Sequence, residues 1–351
     1  MDETHSNRFG PGLIAAAAFI LVLVAMSAAR GFVVQLTLAG IAAALTVPVM
    51  RRARQAGWPG WLALTAGMGA FVGVIAVVGI ILLVPYLSLL SGADEVLALF
   101  DDFLASCATW LAGIGLESTA AALLETVSPA VILGPILGLG SALIGLAVLF
   151  GIVGIILIYL LADAGPMANR LRALRGSDTE LLPRAAGLGT AVGSYVVIRS
   201  LLGGVAAALD VVLLVIIGVP LPLVWGVLSF VLSFIPNIGF LLSLVPPTIL
   251  ALVMPGGGLA AAAMVVVGYS IINVTIDFVI QPRYAGTRLN ISPLALIVSL
   301  FFWGLILGPA GALLAVPLTL AAKALFDAFP DTRWISVVLS DGDPSSADVT
   351  G

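Results

Sequence analysis

Apolar positions in this chain do not alternate with polar ones; they gather into long unbroken runs. Residues 58–93, 129–162, 211–276 and 289–322 contain no Asp, Glu, Lys or Arg. About 20 apolar residues are enough for a helix to cross the hydrocarbon core of a bilayer. A backbone at that depth must satisfy its own hydrogen bonds, which demands helices or a closed barrel. The alternation that marks barrel strands is absent. The pattern therefore predicts spans at 13–29, 32–50, 60–90, 130–162, 189–218 and 258–281. Two further apolar segments, 222–254 and 291–327, are interrupted by Pro and Gly. The run 13–29 is followed at once, after Arg30, by the next, which predicts a membrane-retained helical hairpin rather than a cleaved leader.

The arginines set the orientation. Arg51, Arg52 and Arg54 form one group, and Arg170, Arg172, Arg175 and Arg184 form another after two further crossings. The positive-inside rule puts both in the cytoplasm, and with them both chain termini. Between those crossings, residues 94–128 carry six acids and no Lys or Arg, as suits an external segment. Within it Val96, Phe100, Phe103, Cys107, Trp110 and Ile114 recur at spacings of three and four, while Asp94, Asp101 and Asp102 fall on the other face. That is the signature of an amphipathic helix, packed on its own bundle or the bilayer surface, or serving as a subunit contact or gate.

Counting crossings from Arg184 makes 222–254 begin and end outside, with about 14 apolar residues on each arm, too few for a full span. The expected form is a re-entrant hairpin broken at Pro236, Asn237, Ile238 and Gly239. The same argument makes 291–327 a hairpin from the cytoplasmic side with its tip at Gly308, Pro309, Ala310 and Gly311. The two hairpins align: Gly239 to Thr248, with Pro246, lies against Gly311 to Thr319, with Pro317, and Pro222-Leu223 against Pro293-Leu294. Each follows a span of similar length. This predicts an inverted repeat of about 65 residues, the device by which many secondary transporters build a midplane site.

Composition agrees: 61% of the 351 residues are hydrophobic and 9% charged, against about 25% charged in soluble domains. The formal charge is −4, with acids such as Asp341, Asp343 and Asp348 outside the apolar runs, so no nucleic-acid footprint exists. The single cysteine, Cys107, excludes an internal disulfide, and with one histidine, His5, no Cys/His zinc site or His-based triad can form. No glycine-rich loop ending in Lys-Ser or Lys-Thr occurs, so ATP coupling within the chain is unsupported, and no cofactor or metal is implied.

The hairpin segments also carry a family resemblance. Phe234 to Gly239 (Phe-Ile-Pro-Asn-Ile-Gly) followed by Pro246-Pro247, Gln281 to Gly286 (Gln-Pro-Arg-Tyr-Ala-Gly), Ile291 to Leu294 and Gly308 to Pro317 resemble the autoinducer-2 exporter family of permeases. The resemblance covers most of the chain, with its specific motifs in the last 130 residues or so. It implies a multi-pass plasma-membrane permease without a nucleotide-binding domain. Some members are linked to export of autoinducer-2, others to exchange of sodium or lithium for protons. It also implies homo-oligomeric assembly, with a pentamer as the expected form.

Charged groups inside spans cost about 2.5–3.5 kcal/mol each on insertion scales, so the few present are candidates for transport. They are Arg199, Asp210 and Asp277, with Asn273 one turn before Asp277 and Asn237 at the first tip. A carboxylate there suits proton or cation coupling, and the structural alternative is a bundle ion pair with Arg199 or Arg283. Arg199 and Asp210 stand about 16 Å apart along one helix and cannot pair within it. Pro236, Gly239, Pro246, Gly308, Pro309, Gly311 and Pro317 are expected to break the hairpin helices and free backbone groups for a solute. Gln281, Pro282, Arg283, Gly286 and Arg288 are expected in a cytoplasmic loop.

The expected fold is thus an all-α polytopic transmembrane bundle with two re-entrant or broken hairpins and an external amphipathic helix. Its parts are a polar N-terminal tail (1–12), N-terminal transmembrane helices (13–93), the external segment (94–128), a transmembrane helix with a basic cytoplasmic loop (129–188), a C-terminal inverted-repeat core (189–329) and an acidic cytoplasmic tail (330–351). Its partners are the lipid bilayer and a small polar solute or a monovalent cation or proton; it is not an enzyme. The leading function is export or passive transport of a small polar metabolite, with an autoinducer-2-type signal as one candidate. The alternatives are a sodium(lithium)/proton antiporter and a non-transporting, oligomeric or channel-like membrane protein.

Overall fold

The computed structural model describes residues 9–91, 93–126, 130–175, 181–236, 238–254, 256–281, 283, 291–327, 329 and 332–341. Among these, every regular element is helical, as the long apolar runs require. In order they are α1 (Phe9–Ala28), α2 (Arg30–Gln55), α3 (Gly60–Ser91), α4 (Ala93–Gly113), α5 (Glu117–Thr126), α6 (Ala130–Arg175) and α7 (Leu181–Ile217). Then come α8 (Pro222–Leu232), α9 (Gly239–Val253) and α10 (Leu259–Val274), the last continued by a π-helical segment, Thr275–Ile280. The chain ends with α11 (Pro293–Leu307), α12 (Pro309–Leu313), α13 (Ala315–Asp327) and α14 (Arg333–Leu339).

Five described segments are long and apolar enough to cross a membrane: Arg30–Gln55, Gly60–Val84, Gly140–Asp163, Gly187–Ile217 and Leu259–Ile280. Their outward residues are large and apolar. On α6, Ile144, Val148, Ile152, Ile155 and Tyr159 lie exposed at helical spacing, a stripe that in water would be a liability and in lipid is the expected surface.

The chain divides into two compact units. One comprises residues 1–44, 156–192 and 289–351, the other 45–155 and 193–288. In the second unit α8 packs on α9, and α9 on α10. Leu214, Val219, Ala251, Ala261, Ala262, Val265 and Tyr269 form its buried apolar cluster, with Leu213, Trp225, Leu244 and Met254 against it. Leu221, between Pro220 and Pro222, turns the chain from α7 into α8 with φ of 58°, and the Trp225 indole N–H donates to the Pro220 carbonyl at 2.9 Å. In the first unit α11 packs on α12 and α13, and α13 on α14. The Trp303 indole N–H donates to Thr319 Oγ1 at 3.1 Å, tying α11 to α13.

Both interrupted segments are broken helices. The first has arms of 11 and 15 residues around Ser233–Ile238. The second has arms of 15 and 13 residues joined through the five-residue α12. Every arm falls short of the roughly 20 residues of a full span. At Gly239 an added Cβ would overlap the Leu232 carbonyl oxygen, and at Gly311 it would overlap the Trp303 carbonyl oxygen. Leu232 and Trp303 are 71 residues apart, the same offset as Pro222 and Pro293. The two tips therefore make the same close approach at aligned positions.

Several expectations are corrected. Only Ala29 separates α1 from α2, and the amides of Ala29 and Val33 keep helical bonds to the carbonyls of Ala25 and Ala29. A helical hairpin needs a connection of about 2–5 residues, so this stretch is an interrupted rod and not the expected hairpin. α1 also begins at Phe9, inside the expected polar tail. α6 runs on to Arg175, through the first part of the expected basic loop; beyond Gly165 and Pro166 the Met, Ala, Leu and Arg residues are good helix formers. Pro246 lies within α9 and Pro317 in the first turn of α13, where no amide is needed; neither ends a helix. The expected tail contains α14, and the Leu339 carbonyl accepts from the Ser292 amide at the start of α11. The segment expected outside is two helices, α4 and α5, turned at Gly115 (φ 84°), and α4 packs on α3, α5 and α9. On α4, Leu104 and Ala108 are buried, whereas Ile114 lies beyond the helix end and is exposed. Burial pushes the Cys107 thiol above its ordinary range, in keeping with a packing role.

Candidate functional site

Several polar side chains of the second unit's apolar helices fall in register. They stand one turn apart on three elements: Tyr195 and Arg199 on α7, Ser229 on α8 with Ser233 at its end, and Asn273, Asp277 and Gln281 along α10 and its continuation. A separation of four residues is about 6 Å along a helix, so each set lies on one face. Small residues bring the elements together. At Gly203, one turn beyond Arg199, a Cβ would strike the Ser233 hydroxyl.

Two hydrogen-bonded clusters result. In the first, Arg199 Nη1 donates to Asp277 Oδ1 at 2.6 Å and also to Gln281 Oε1. Its Nε donates to the Ser233 carbonyl, and the Tyr195 hydroxyl reaches the neighbouring Phe234 carbonyl at 3.5 Å. Those carbonyls belong to the break of the first hairpin, just past the end of α8. Arg199 is buried, while the Asp277 side chain keeps 18% of its surface accessible. Asp277 sits in the π-helical segment, a form that is rare and frequent at functional sites.

In the second cluster Asp210 is fully buried. The Ser229 hydroxyl donates to its Oδ2 at 2.6 Å, and the Asn273 amide lies 3.4 Å from both carboxylate oxygens while donating to the Tyr269 carbonyl at 3.0 Å. No basic side chain bonds Asp210 among the described residues, so its charge is not offset as that of Asp277 is. The Tyr269 hydroxyl, also fully buried, has no hydrogen-bond partner among the described residues. Buried polar groups left open in this way are uncommon in folded proteins.

Of the residues singled out from sequence, Arg199, Asp277 and Gln281 thus come together, and so do Asp210 and Asn273. As the spacing argument required, Arg199 and Asp210 do not bond to each other. Gln281 was expected in a loop; it is helical and part of the first cluster, because the helix continues past Ile280. Arg283 is exposed and takes no part. Pro236 and Gly239 flank the first tip; Gly308 (φ 72°), Pro309 and Gly311 form the second tip, in the other unit. Asn237, Pro282, Gly286 and Arg288 lie outside the described residues. Sequence reasoning missed Tyr195, Ser229, Ser233 and Tyr269. The available signal was spacing: Ser229 and Ser233 stand one turn apart in a charge-free run, and Tyr195 and Tyr269 stand one turn before Arg199 and Asn273.

Comparison with known proteins gives the context. The family model "AI-2E family transporter" matches residues 13–331. Among curated proteins, the chain is 37% identical over 150 residues to the AI-2 transport protein TqsA of Escherichia coli K12, covering 43% of each chain. It is 38% identical over 144 residues to a putative transport protein of Haemophilus influenzae, covering 41% of this chain and 40% of that one. To the putative transport protein YrrI of Bacillus subtilis it is 28% identical over 110 residues, 31% of this chain and 30% of that one. The matched stretches span less than half the length of these relatives.

Proposed function

The chain belongs to the AI-2E transporter family, and from that premise we propose that it is a permease moving a small polar solute through the polar seam of α7, α8 and α10. The observation that carries the reading is the Arg199–Asp277–Gln281 cluster at the break of the first hairpin. Ionisable groups inside apolar spans are costly and mark solute or ion pathways. Here they meet backbone carbonyls freed by a broken helix, the arrangement that transporters use at midplane sites. A neutral ion pair with one accessible carboxylate suits an uncharged, hydroxyl-bearing solute, and one relative's name supplies an autoinducer-2-type signal as the candidate.

A second reading is favoured by a separate observation. Asp210, without a basic partner among the described residues, offers its carboxylate, with the Ser229 hydroxyl and the Asn273 side chain, as oxygen ligands to a sodium or lithium ion in exchange for protons. Both readings take the protein as a multi-pass permease of the plasma membrane with its arginine-rich connections and both termini in the cytoplasm. Assembly into a homo-oligomer is part of the proposal.

Proteoliposomes containing the purified chain and a trapped pH-sensitive dye separate the two. Saturable flux of a labelled solute without a proton signal on adding sodium or lithium supports the first. A cation-driven proton signal that Asp210→Asn abolishes supports the second. Neither flux nor proton movement from correctly folded protein rejects both.

A further inference from the structure

The break of the first hairpin poses a problem that the apolar environment makes acute. α8 ends at Leu232, and the carbonyls of Ser233 and Phe234 have passed beyond the reach of its amides. A helix C-terminus also carries partial negative charge, which a cation at that end stabilises. Among the described residues the tip's own backbone offers neither a cation nor these hydrogen bonds. Both come from α7, where Arg199 Nε serves Ser233 and the Tyr195 hydroxyl serves Phe234 from positions one turn apart.

The guanidinium is planar and presents its donors in a fixed fork. Nε can point at the Ser233 carbonyl only while Nη1 is aligned, and Nη1 is aligned by Asp277 and Gln281. The tip of one hairpin is thereby held, through a single side chain, by the charge on the neighbouring helix. Gly203 removes the one Cβ that would keep Ser233 from seating against α7.

We propose that Arg199 is a latch: with Tyr195 it fastens the tip of the 222–254 hairpin to α7, and the Asp277 carboxylate keeps the latch closed. When Asp277 is neutralised, or turns to a bound ligand through its accessible face, the fork loses its alignment and the tip is released. Arg199 and Tyr195 are positioning residues here, acting on the solute path through the hairpin. The inference goes beyond the permease reading and requires no knowledge of the solute.

The test uses the full chain in lipid nanodiscs, with Cys107→Ser as background and a reporter cysteine at the tip, Ile235→Cys. Ile235 is buried, and Leu214→Cys, in the apolar cluster of the same unit, is the control. The rate of maleimide labelling reports opening. Asp277→Asn is expected to speed labelling at residue 235 about tenfold or more, the change that loss of one charge-assisted hydrogen bond brings to a local opening equilibrium, while residue 214 stays slow. Arg199→Lys, which retains the buried charge but not the fork, is expected to do the same, and stands as the second variant if Asp277→Asn does not fold. Tyr195→Phe should give a smaller rise. Unchanged labelling at 235 in a folded Asp277→Asn or Arg199→Lys protein overturns the latch. Equal acceleration at 235 and 214 overturns it too, since that is general loosening. Because labelling needs no transported solute, failure here is distinct from failure of the permease reading.

Discussion

At the scale of single residues, what distinguishes this chain is how few polar side chains its spans contain and how fully those few are used. Asp277 and Asp210 are chemically alike but differently served: one is paired with a guanidinium, the other held by a hydroxyl and a carboxamide. Removing one partner of a buried ion pair leaves an uncompensated charge and costs about 3–5 kcal/mol. Asp277→Ala is therefore expected to lower the thermal stability of the purified protein sharply, and the double variant Arg199→Gln/Asp277→Asn to recover most of the loss. Calorimetry of the three proteins checks this; equal stability of wild type and Asp277→Ala would mean that the pair is not formed. Ser229→Ala removes a hydrogen bond to a buried carboxylate and should cost about 1.5–3 kcal/mol in the same measurement. Much of this scale was legible in the sequence, because a charge in an apolar run is conspicuous. The partners were not, since Ser, Tyr and Gln inside helices carry no such signal and only three-dimensional packing decides which of them meet.

Among elements, the two broken hairpins share one construction. Each has half-length arms and a glycine pressed against the carbonyl at an aligned position of the preceding arm. Filling that contact by Gly239→Ala or Gly311→Ala should destabilise by about 1–3 kcal/mol, the usual cost of overpacking. By contrast Gly73→Ala on α3, where nothing lies near the added methyl, should be neutral or stabilising by up to about 1 kcal/mol. A neutral Gly239→Ala in thermal unfolding would contradict the close approach. The hairpin positions were readable from Pro and Gly punctuation together with arm length. Pro317 misled because it falls in a first turn, where no amide is needed, whereas α9 continues through Pro246 and Pro247. The π-helical segment at Asp277 left no trace in the sequence, since the alternative ladder is chosen by contacts and not by composition.

For the whole molecule, hydropathy alone yields an all-helical, multi-pass membrane protein; α3, α6 and α10 fall where the charge-free runs predict, and α7 falls on the span expected at 189–218. What it could not resolve was the path at Arg30, where a single residue separates two runs that look like two spans. The arginine groups lead to an expected sidedness that cysteine labelling can test in intact cells. Gly57→Cys, beside Arg54, should react with an impermeant maleimide only after permeabilisation, whereas Leu116→Cys, between α4 and α5, should react at once. The reverse pattern would invert the molecule.

The central claim is that the polar seam of α7, α8 and α10 handles the transported solute. Flux through proteoliposomes of matched protein content, wild type against Arg199→Gln/Asp277→Asn, tests it most directly, because the double variant avoids the stability penalty of an unpaired charge. The account predicts saturable solute flux for the wild type and loss of nearly all of it in the folded double variant. Undiminished flux in that variant would contradict it.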